Sequence, residues 1–200
     1  MAQSLRRLVV ASGNPGKLKE IEALLAPHGL ELVPQASLGI TEAEEPHATF
    51  IENALAKARH ASTAAGLPAL ADDSGLCVEA LGGAPGVHSA YYAGDAGARE
   101  ERDARNNAKL LASLGAQRDA YYCCVMVLVR HAADPRPLVA EGLWRGEIAR
   151  VPKGTNGFGY DPLFHVPAFG MTAAELEPRV KNRISHRALA LQRLLALLEA

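Results

Sequence analysis

The chain has 200 residues, of which 48% are hydrophobic, and its formal net charge is −1 at pH 7. This length suffices for a substantial hydrophobic core and is typical of one domain, so we expect a single domain over residues 1–200. The near-neutral charge argues against a broad nucleic-acid-binding surface, although it leaves room for a small basic pocket that binds phosphates.

The cysteines and the N-terminal residues bear on where the protein works. Cys77, Cys123 and Cys124 all lie in apolar runs. Their odd number, without a C-x-x-C spacing, argues against a disulfide framework or a zinc site. The N-terminus lacks the long apolar segment of a signal peptide, and no apolar run is long enough to cross a bilayer. We therefore expect a cytoplasmic protein that does not bind membranes.

The chain opens with a predicted strand, a polar turn and a helix. Leu5–Ala11 is the strand, and the helix is expected to bury Leu18, Ile21, Leu24 and Leu25 on one face. Asn14 suits a helix N-cap and Pro15 the first helical position. Such a turn presents backbone N–H groups and a lysine to a phosphate, and it consists of Ser12, Gly13, Asn14, Pro15, Gly16 and Lys17. The spacing is not that of a Walker loop, and an ordinary strand-to-helix connection fits the local sequence equally well.

A second strand and a second helix follow an acidic segment. Leu30–Val33 has the pattern of a strand, and Thr49 with Glu52 matches a capping box that begins a helix. This alanine-rich helix is expected to end at Gly66. The acidic residues before it are Glu42, Glu44 and Glu45. Carboxylates before a helix N-terminus commonly serve the helix dipole and solvation alone.

Two adjacent carboxylates, Asp72 and Asp73, lie at the centre of the chain between two apolar segments. We expect a buried strand to end here in a surface turn, so that one carboxylate turns inward and the other faces a cleft. Carboxylate oxygens suit a hard cation such as Mg²⁺. An Asp-Ser-Gly turn with nothing bound is also common, and the stretch taken alone favours that interpretation.

In the second half of the chain, the sequence pattern predicts a long glycine-rich loop over Gly82–Gly97 and a helix over Ala98–Leu114. Strands follow over Tyr121–Val129, Leu138–Trp144 and Glu147–Val151. The last predicted elements are a short helix over Thr172–Glu177 and a final helix capped by Ser185. In the segment between Gly154 and Pro162, Phe158 and Tyr160 offer flat faces for a base. A hairpin loop whose aromatic side chains cover the core is the alternative.

His186 and Arg187 occupy the first turn of the last helix, and Lys181 precedes them in a predicted loop. Cations at a helix N-terminus are unfavourable. An anionic or carbonyl-bearing ligand would offset that cost, so the pair is a candidate binding site.

Six segments in series resemble one family, the noncanonical purine nucleoside triphosphate pyrophosphatases, also called the inosine triphosphatase family. The resemblance covers nearly the whole chain and is carried by Ser12–Lys17, Thr49–Ala54, Ala71–Leu76, Leu81–Gly86, Phe158–Pro162 and Ile184–Arg187. It implies an α/β fold in which an elongated mixed β-sheet is flanked by helices, with two lobes around a central nucleotide-binding cleft. It also implies a homodimer that uses Mg²⁺ to hydrolyse inosine, deoxyinosine and xanthosine triphosphates to the monophosphate and pyrophosphate, which removes deaminated purines from the nucleotide pool.

The resemblance also implies roles for particular residues. Ser12–Lys17 matches the triphosphate-binding loop, in which Lys17 would stabilise charge during catalysis. Glu44 and Asp73 match the metal-binding positions, and Asp73 also matches the general base. The matched substrate contacts are Ser74, Phe158, Gly159, Tyr160, Asp161, Lys181, His186 and Arg187. The family often carries a basic residue where this chain has Tyr91, which leaves a phosphate contact there in doubt.

His186 and Arg187 would select the base through hydrogen bonds. Hypoxanthine and xanthine present a carbonyl at ring position 6, whereas adenine presents an amino donor. A donor facing a buried donor costs about 1–3 kcal/mol, which explains rejection of adenine but not of guanine.

Three other interpretations fit parts of the sequence. A pyrimidine-nucleotide pyrophosphatase of the septum-inhibition type, acting on dTTP or UTP, has a related fold but a basic Ser/Pro/Arg-rich opening that this chain lacks. A non-catalytic nucleotide-binding module is a further alternative. The presence of Lys17, Glu44 and Asp73 together argues against it, because a protein that only binds nucleotides gains little from a base next to the metal. A plain α/β domain with structural glycine-rich loops fits each motif singly but not all six together.

Overall fold

The computed structural model describes residues 7–199. Its strands are β1 (Arg7–Ala11), β2 (Glu31–Pro34), β3 (Ala69–Val78), β4 (Asp119–Val129), β5 (Leu138–Ile148), β6 (Phe164–Val166) and β7 (Met171–Thr172). Its α-helices are α1 (Pro15–Leu25), α2 (Phe50–Ala65), α3 (Arg99–Ser113), α4 (Pro178–Ile184) and α5 (His186–Glu199). The predicted residues Leu5 and Arg6 of the first strand lie outside the described residues. No helix within residues 7–199 is long and apolar enough to span a bilayer.

The seven strands form one sheet in the order β2-β1-β3-β4-β5-β6-β7. Strand β1 is parallel to both β2 and β3, whereas β6 is antiparallel to both β5 and β7. The sheet is therefore mixed and is flanked by helices, which confirms the predicted α/β class.

The chain divides into two compact units. The described residues of the first unit are 7–73, 124–142 and 187–199, and those of the second unit are 74–123 and 143–186. The first unit has a core that contains Leu8, Ile21, Leu70, Met126 and Leu191. The core of the second unit contains Leu76, Leu110, Tyr122, Trp144 and Phe164. Trp144 is thus a core residue.

The beginnings of the first two helices are confirmed. In α1, Asn14 is the N-cap and Pro15 the first helical residue. In α2, the Thr49 hydroxyl accepts a hydrogen bond from the Glu52 N–H and donates one to the Glu52 carboxylate. Helix α2 ends at Gly66, whose φ of 66° is readily adopted by glycine.

The expected turn at Asp72 and Asp73 is wrong, because β3 runs without interruption from Ala69 to Val78. Both carboxylates are buried in mid-strand. Cationic side chains reach each of them, so the strand tolerates two adjacent acidic residues. Gly75 does not end the strand either. A methyl group there would overlap the Gly86 carbonyl oxygen and the Ser89 hydroxyl, so glycine permits close packing at this position.

Three further predictions are corrected. The strands predicted over 138–144 and 147–151 are one strand, β5, which pairs with β6 at Glu147 and Ile148. The helix predicted over 172–177 is absent, because Thr172 belongs to β7. The N–H and the hydroxyl of Thr172 both donate hydrogen bonds to the Glu175 carboxylate. The helix begins instead at Pro178, so Lys181 lies on α4 rather than in a loop.

The predicted glycine-rich loop contains regular structure. A short 3₁₀ helix, Gly86–Tyr91, lies within it, and another, Glu79–Leu81, directly precedes it. The Asn106 side chain of α3 donates to the carbonyls of Ser89 and Ala90 and accepts from the Ala93 N–H. These hydrogen bonds hold the backbone of the loop in place without a ligand.

Candidate active site

The turn between β1 and α1 leads into a helix N-terminus that is capped by the Asn14 side chain. The Asn14 Oδ1 accepts from the N–H groups of Gly16 and Lys17 at 3.0 and 3.2 Å. The Asn14 N–H in turn donates to the Ser12 hydroxyl at 3.3 Å. A Cβ at Gly13 would overlap the Glu42 carboxylate, so glycine allows that side chain to approach the turn. The role of this turn in binding triphosphate stays a prediction.

Asp72 is the centre of a buried ion cluster in the first unit. Its Oδ2 lies 3.2 Å from Lys17 Nζ and accepts hydrogen bonds from Arg187 Nη2 and Nε at 3.1 and 3.4 Å. Arg187 also donates to the Glu20 carboxylate. Burial by itself would raise the pKa of Asp72, but the charges of Lys17 and Arg187 hold that pKa well below its usual range. Asp72 therefore stays ionised and anchors the predicted catalytic lysine.

Asp73 has a different set of partners, as expected for adjacent residues on opposite faces of a strand. Its carboxylate lies 3.2 Å from Lys57 Nζ and accepts a hydrogen bond from Asn53 Nδ2 at 3.2 Å. Burial raises the pKa of Asp73 in spite of the neighbouring lysine charges. A carboxylate with a raised pKa is a stronger base than an ordinary aspartate. This environment suits the predicted general base.

Lys57 joins Asp73 to the acidic segment before α2. Its Nζ lies 2.8 Å from a carboxylate oxygen of Glu45. Burial by itself would lower the pKa of Lys57, but Asp73 and Glu45 raise it above the usual range. An ammonium group thus lies between two carboxylates, which shows that this position favours a cation.

The donor set near Asp73 fits a hard metal ion. Within residues 7–199, no three His, Cys, Asp or Glu side chains converge into a metal site by themselves. Mg²⁺ is commonly bound by one or two carboxylates, with water and substrate phosphates completing its shell. Asp73 with an acidic residue of the segment 42–45 satisfies that requirement. Glu44 is exposed, and its predicted role as a metal ligand stays a prediction.

The predicted base-pocket segment lies in the second unit. The Asp161 Oδ2 accepts hydrogen bonds from the Phe158 N–H at 2.9 Å and from Lys181 Nζ at 2.6 Å. The partly buried Phe158 ring has two cations close by, the Arg99 guanidinium carbon at 4.6 Å and Lys181 Nζ at 5.1 Å from its centroid. The structure thus brings Phe158, Asp161 and Lys181 together, although Lys181 comes from another element.

Two tyrosines that the sequence comparison with the family singled out differ in exposure. Tyr160 is buried, and its hydroxyl donates to the Ser89 carbonyl at 2.9 Å. Its ring is therefore part of the core and is not an open face for a base. Tyr91, the residue at the position where a basic residue was expected, is exposed and lies 5.6 Å from the Arg102 guanidinium carbon. A cation is thus present beside it.

The structure separates the environments of His186 and Arg187. The His186 ring stacks on Tyr122 with centroids 4.6 Å apart and an interplanar angle of 9°, and it belongs to the second unit. Arg187 belongs to the first unit, is 1% exposed and binds Asp72 and Glu20. Ser74 is partly exposed on β3. Recognition of a base by the His186–Arg187 pair stays a prediction.

Sequence analysis missed several residues around these sites, among them Glu20, Asn53 and Lys57 and, on α3, Asp103 and Asn107. One signal was available in α2. Asn53 and Lys57 are four residues apart and lie beside the buried alanines Ala54 and Ala58 of the same helix. A polar pair on an apolar helix face indicates a buried partner, which here is Asp73.

Comparison with known proteins gives the family. The Ham1 family model matches residues 8–197. A Burkholderia pseudomallei protein named dITP/XTP pyrophosphatase is 65% identical over 192 residues, which are 95% of this chain and 92% of that protein. A Bordetella pertussis protein of the same name is 63% identical over 199 residues, which are 98% of this chain and 93% of that protein.

Solved structures agree with the sequence comparisons. A HAM1 protein from Coxiella burnetii has a TM-score of 0.88 at 48% identity and covers 97% of this chain and 99% of its own. The Staphylococcus aureus Ham1 protein has a TM-score of 0.83 at 38% identity, with coverage of 96% and 98%. With sequence and fold matched along almost its whole length, this chain is a member of the Ham1 family.

Proposed function

We propose that this protein hydrolyses noncanonical purine nucleoside triphosphates, namely ITP, dITP and XTP, to the monophosphate and pyrophosphate. Relatives in the Ham1 family that are 58–65% identical carry the name dITP/XTP pyrophosphatase. The observation that carries the proposal is the contrast between two adjacent buried carboxylates. Asp72 is held ionised by Lys17 and Arg187, whereas the pKa of Asp73 is raised by burial. The two carboxylates therefore have different environments, and the proposal gives the role of base to Asp73.

In the proposed reaction, the Asp73 carboxylate accepts the proton of the attacking water. In the absence of a metal ion, burial raises the pKa of Asp73, which favours acceptance of a proton. The Asn53 amide orients the carboxylate by donating to Oδ2. Lys57 lies beside it and keeps a positive charge near the phosphates.

The turn at residues 12–17 binds the negatively charged phosphates of the substrate. The Lys17 ammonium binds phosphate oxygens and is kept in place by Asp72, whereas the N–H groups of Gly16 and Lys17 are already bonded to the Asn14 side chain. Mg²⁺, when bound, would neutralise phosphate charge and polarise the attacking water. Glu44 and Asp73 would hold it. The fit rests on their hard oxygen donors.

Base recognition belongs to residues that the resemblance assigns, namely Phe158, His186 and Arg187, whereas Lys181 is a further substrate contact. Phe158 offers a partly exposed ring, and His186 provides ring nitrogens that stacking on Tyr122 holds in one orientation. A donor facing ring position 6 of the base accepts hypoxanthine or xanthine and disfavours adenine. The whole chain as one pyrophosphatase domain, a homodimeric state and a cytoplasmic location are parts of the same proposal.

Product analysis tests the function. The protein is incubated with Mg²⁺ and, separately, with ITP, XTP, ATP, GTP and dTTP, and the nucleotide and phosphate products are separated. Monophosphate and pyrophosphate from ITP and XTP, with little turnover of ATP, are expected. Diphosphate with orthophosphate would contradict the proposed cleavage. Turnover of dTTP alone would favour the pyrimidine enzyme, and no turnover would favour a binding module.

A further inference from the structure

One face of α3 contacts the segment that forms the proposed base pocket. Arg99, Asp103 and Asn107 follow one another at intervals of four residues, so they share one face of the helix. Their partners in the segment are Phe158 and Gly159, more than fifty positions further along the chain. The resemblance assigns no function to any of the three helix residues.

Two of these side chains hold both polar groups of one backbone residue. The Asp103 Oδ2 accepts from the Gly159 N–H at 2.9 Å, and the Asn107 Nδ2 donates to the Gly159 carbonyl at 2.9 Å. Gly159 has a φ of 64°, in the region that favours glycine. Glycine is conformationally permissive, so its conformation here is set by these two hydrogen bonds rather than by its own preference.

The third side chain reaches the adjacent aromatic ring. The Arg99 guanidinium carbon lies 4.6 Å from the Phe158 centroid, and Arg99 Nε lies 3.8 Å from the Asp103 Oδ2. Asp103 therefore interacts both with the peptide of Gly159 and with the cation beside Phe158. On the segment itself, the Phe158 N–H donates to Asp161, which pairs with Lys181. The backbone around Phe158 is thus held by α3 and by Asp161.

We propose that Arg99, Asp103 and Asn107 are positioning residues for base recognition, which act by holding Phe158 and Gly159 in the orientation that selects the base. The inference rests on the proposed function, because it takes residues 158–161 to be the base pocket. Binding groups must be held to within about 0.5 Å of their productive positions. Loss of the α3 contacts therefore weakens recognition of the base and leaves the phosphate chemistry unchanged.

The test separates binding of the base from binding of the phosphates. KM and kcat for ITP are measured in Asp103→Ala and Asn107→Ala, together with the inhibition constant of inorganic tripolyphosphate, which has no base. Each variant loses one hydrogen bond to Gly159, so KM for ITP is expected to rise roughly two- to tenfold. The values of kcat and of the tripolyphosphate inhibition constant are expected to stay those of the wild type.

Two further variants complete the design. Asp103→Asn keeps an oxygen that can accept from the Gly159 N–H. Its KM for ITP is therefore expected to lie close to the wild-type value, well below that of Asp103→Ala. Glu100→Ala removes an exposed carboxylate from the same helix and is expected to behave as the wild type. Thermal unfolding of every variant identifies any that fail to fold.

The outcomes are distinct. Equal weakening of ITP and tripolyphosphate would mean a general loosening of the protein and would overturn the inference. An Asp103→Asn variant as impaired as Asp103→Ala would overturn it too, because the hydrogen bond would then not be the cause. A wild-type protein that does not hydrolyse ITP would overturn the proposed function itself, and the inference with it, before any variant is compared.

Discussion

Arg187 donates two hydrogen bonds, from Nε and Nη2, to a single carboxylate oxygen of Asp72, a residue 115 positions earlier in the chain. Both side chains are almost fully buried, and Lys17 shares the same oxygen. A buried carboxylate requires such compensation, because the transfer of an unpaired charge out of water is very costly. The pair therefore links the beginning of α5 to the middle of β3 and, through Lys17, to the turn between β1 and α1.

Arg187→Ala is expected to destabilise the protein as well as to reduce base discrimination. Removing one partner of a buried ion pair commonly costs about 3–5 kcal/mol, because the remaining charge stays buried. Urea unfolding measures the free energy. Arg179→Ala is a suitable control, because Arg179 pairs with Glu177 at the exposed surface and such pairs contribute about 0–1 kcal/mol. Equal stabilities of the two variants would contradict the importance of the Asp72 pair.

The stability of the protein is expected to fall steeply at acid pH because of Asp72. The folded state lowers the pKa of this carboxyl, so its stabilising contribution is complete above the unfolded-state pKa of about 3.9 and is lost as the pH falls towards the folded-state pKa. The unfolding free energy is measured without divalent metal between pH 5 and pH 3. The decrease should be smaller in Asp72→Asn than in the wild type, whereas Asp95→Asn should keep the wild-type decrease.

Asp73→Asn is expected to lower kcat for ITP by about two to four orders of magnitude, the usual contribution of a general base. The change is nearly isosteric, and burial already disfavours the charged carboxylate at this position. The free energy of unfolding should therefore change little. Steady-state kinetics and urea unfolding are measured together. Wild-type turnover in this variant would exclude Asp73 as the base.

His186→Phe is expected to reduce the ratio of kcat/KM for ITP to that for ATP. The phenyl ring can keep the stack on Tyr122, but it removes the ring nitrogens that would bind the base. Loss of one donor to a buried carbonyl costs about 1–3 kcal/mol, which corresponds to roughly five- to 150-fold. The inhibition constant of tripolyphosphate should stay unchanged. His131→Phe, at an exposed loop position, is the matched control.

Glu44→Gln is expected to raise the Mg²⁺ concentration required for half-maximal activity more than Glu45→Gln does. Glu45 already has a partner in Lys57, whereas the resemblance assigns metal binding to Glu44. Titration of ITP hydrolysis with Mg²⁺ after treatment with a chelator measures the effect. A larger effect of Glu45→Gln would reassign the metal ligand to the residue that the structure places beside Lys57.

Local patterns in the sequence determined the helix beginnings and much of the element order. The caps at Asn14 and Thr49 were predictable because a cap forms between residues two or three positions apart. The end of α2 at Gly66 was predictable because glycine readily adopts the left-handed conformation found there. The motif order also determined the family. The assignment of Asp73 and Glu44 as metal ligands rested on the resemblance and stays a prediction.

Tertiary structure alone decided which charges meet. No local rule shows that Arg187 binds Asp72, that Lys57 lies between Asp73 and Glu45, or that α3 holds Gly159, because these partners come from distant positions and meet only when the core forms. The turn expected at Asp72 and Asp73 failed for the same reason. Two adjacent aspartates are unfavourable in a buried strand until cations from other elements compensate them, and strand alternation then gives each its own environment.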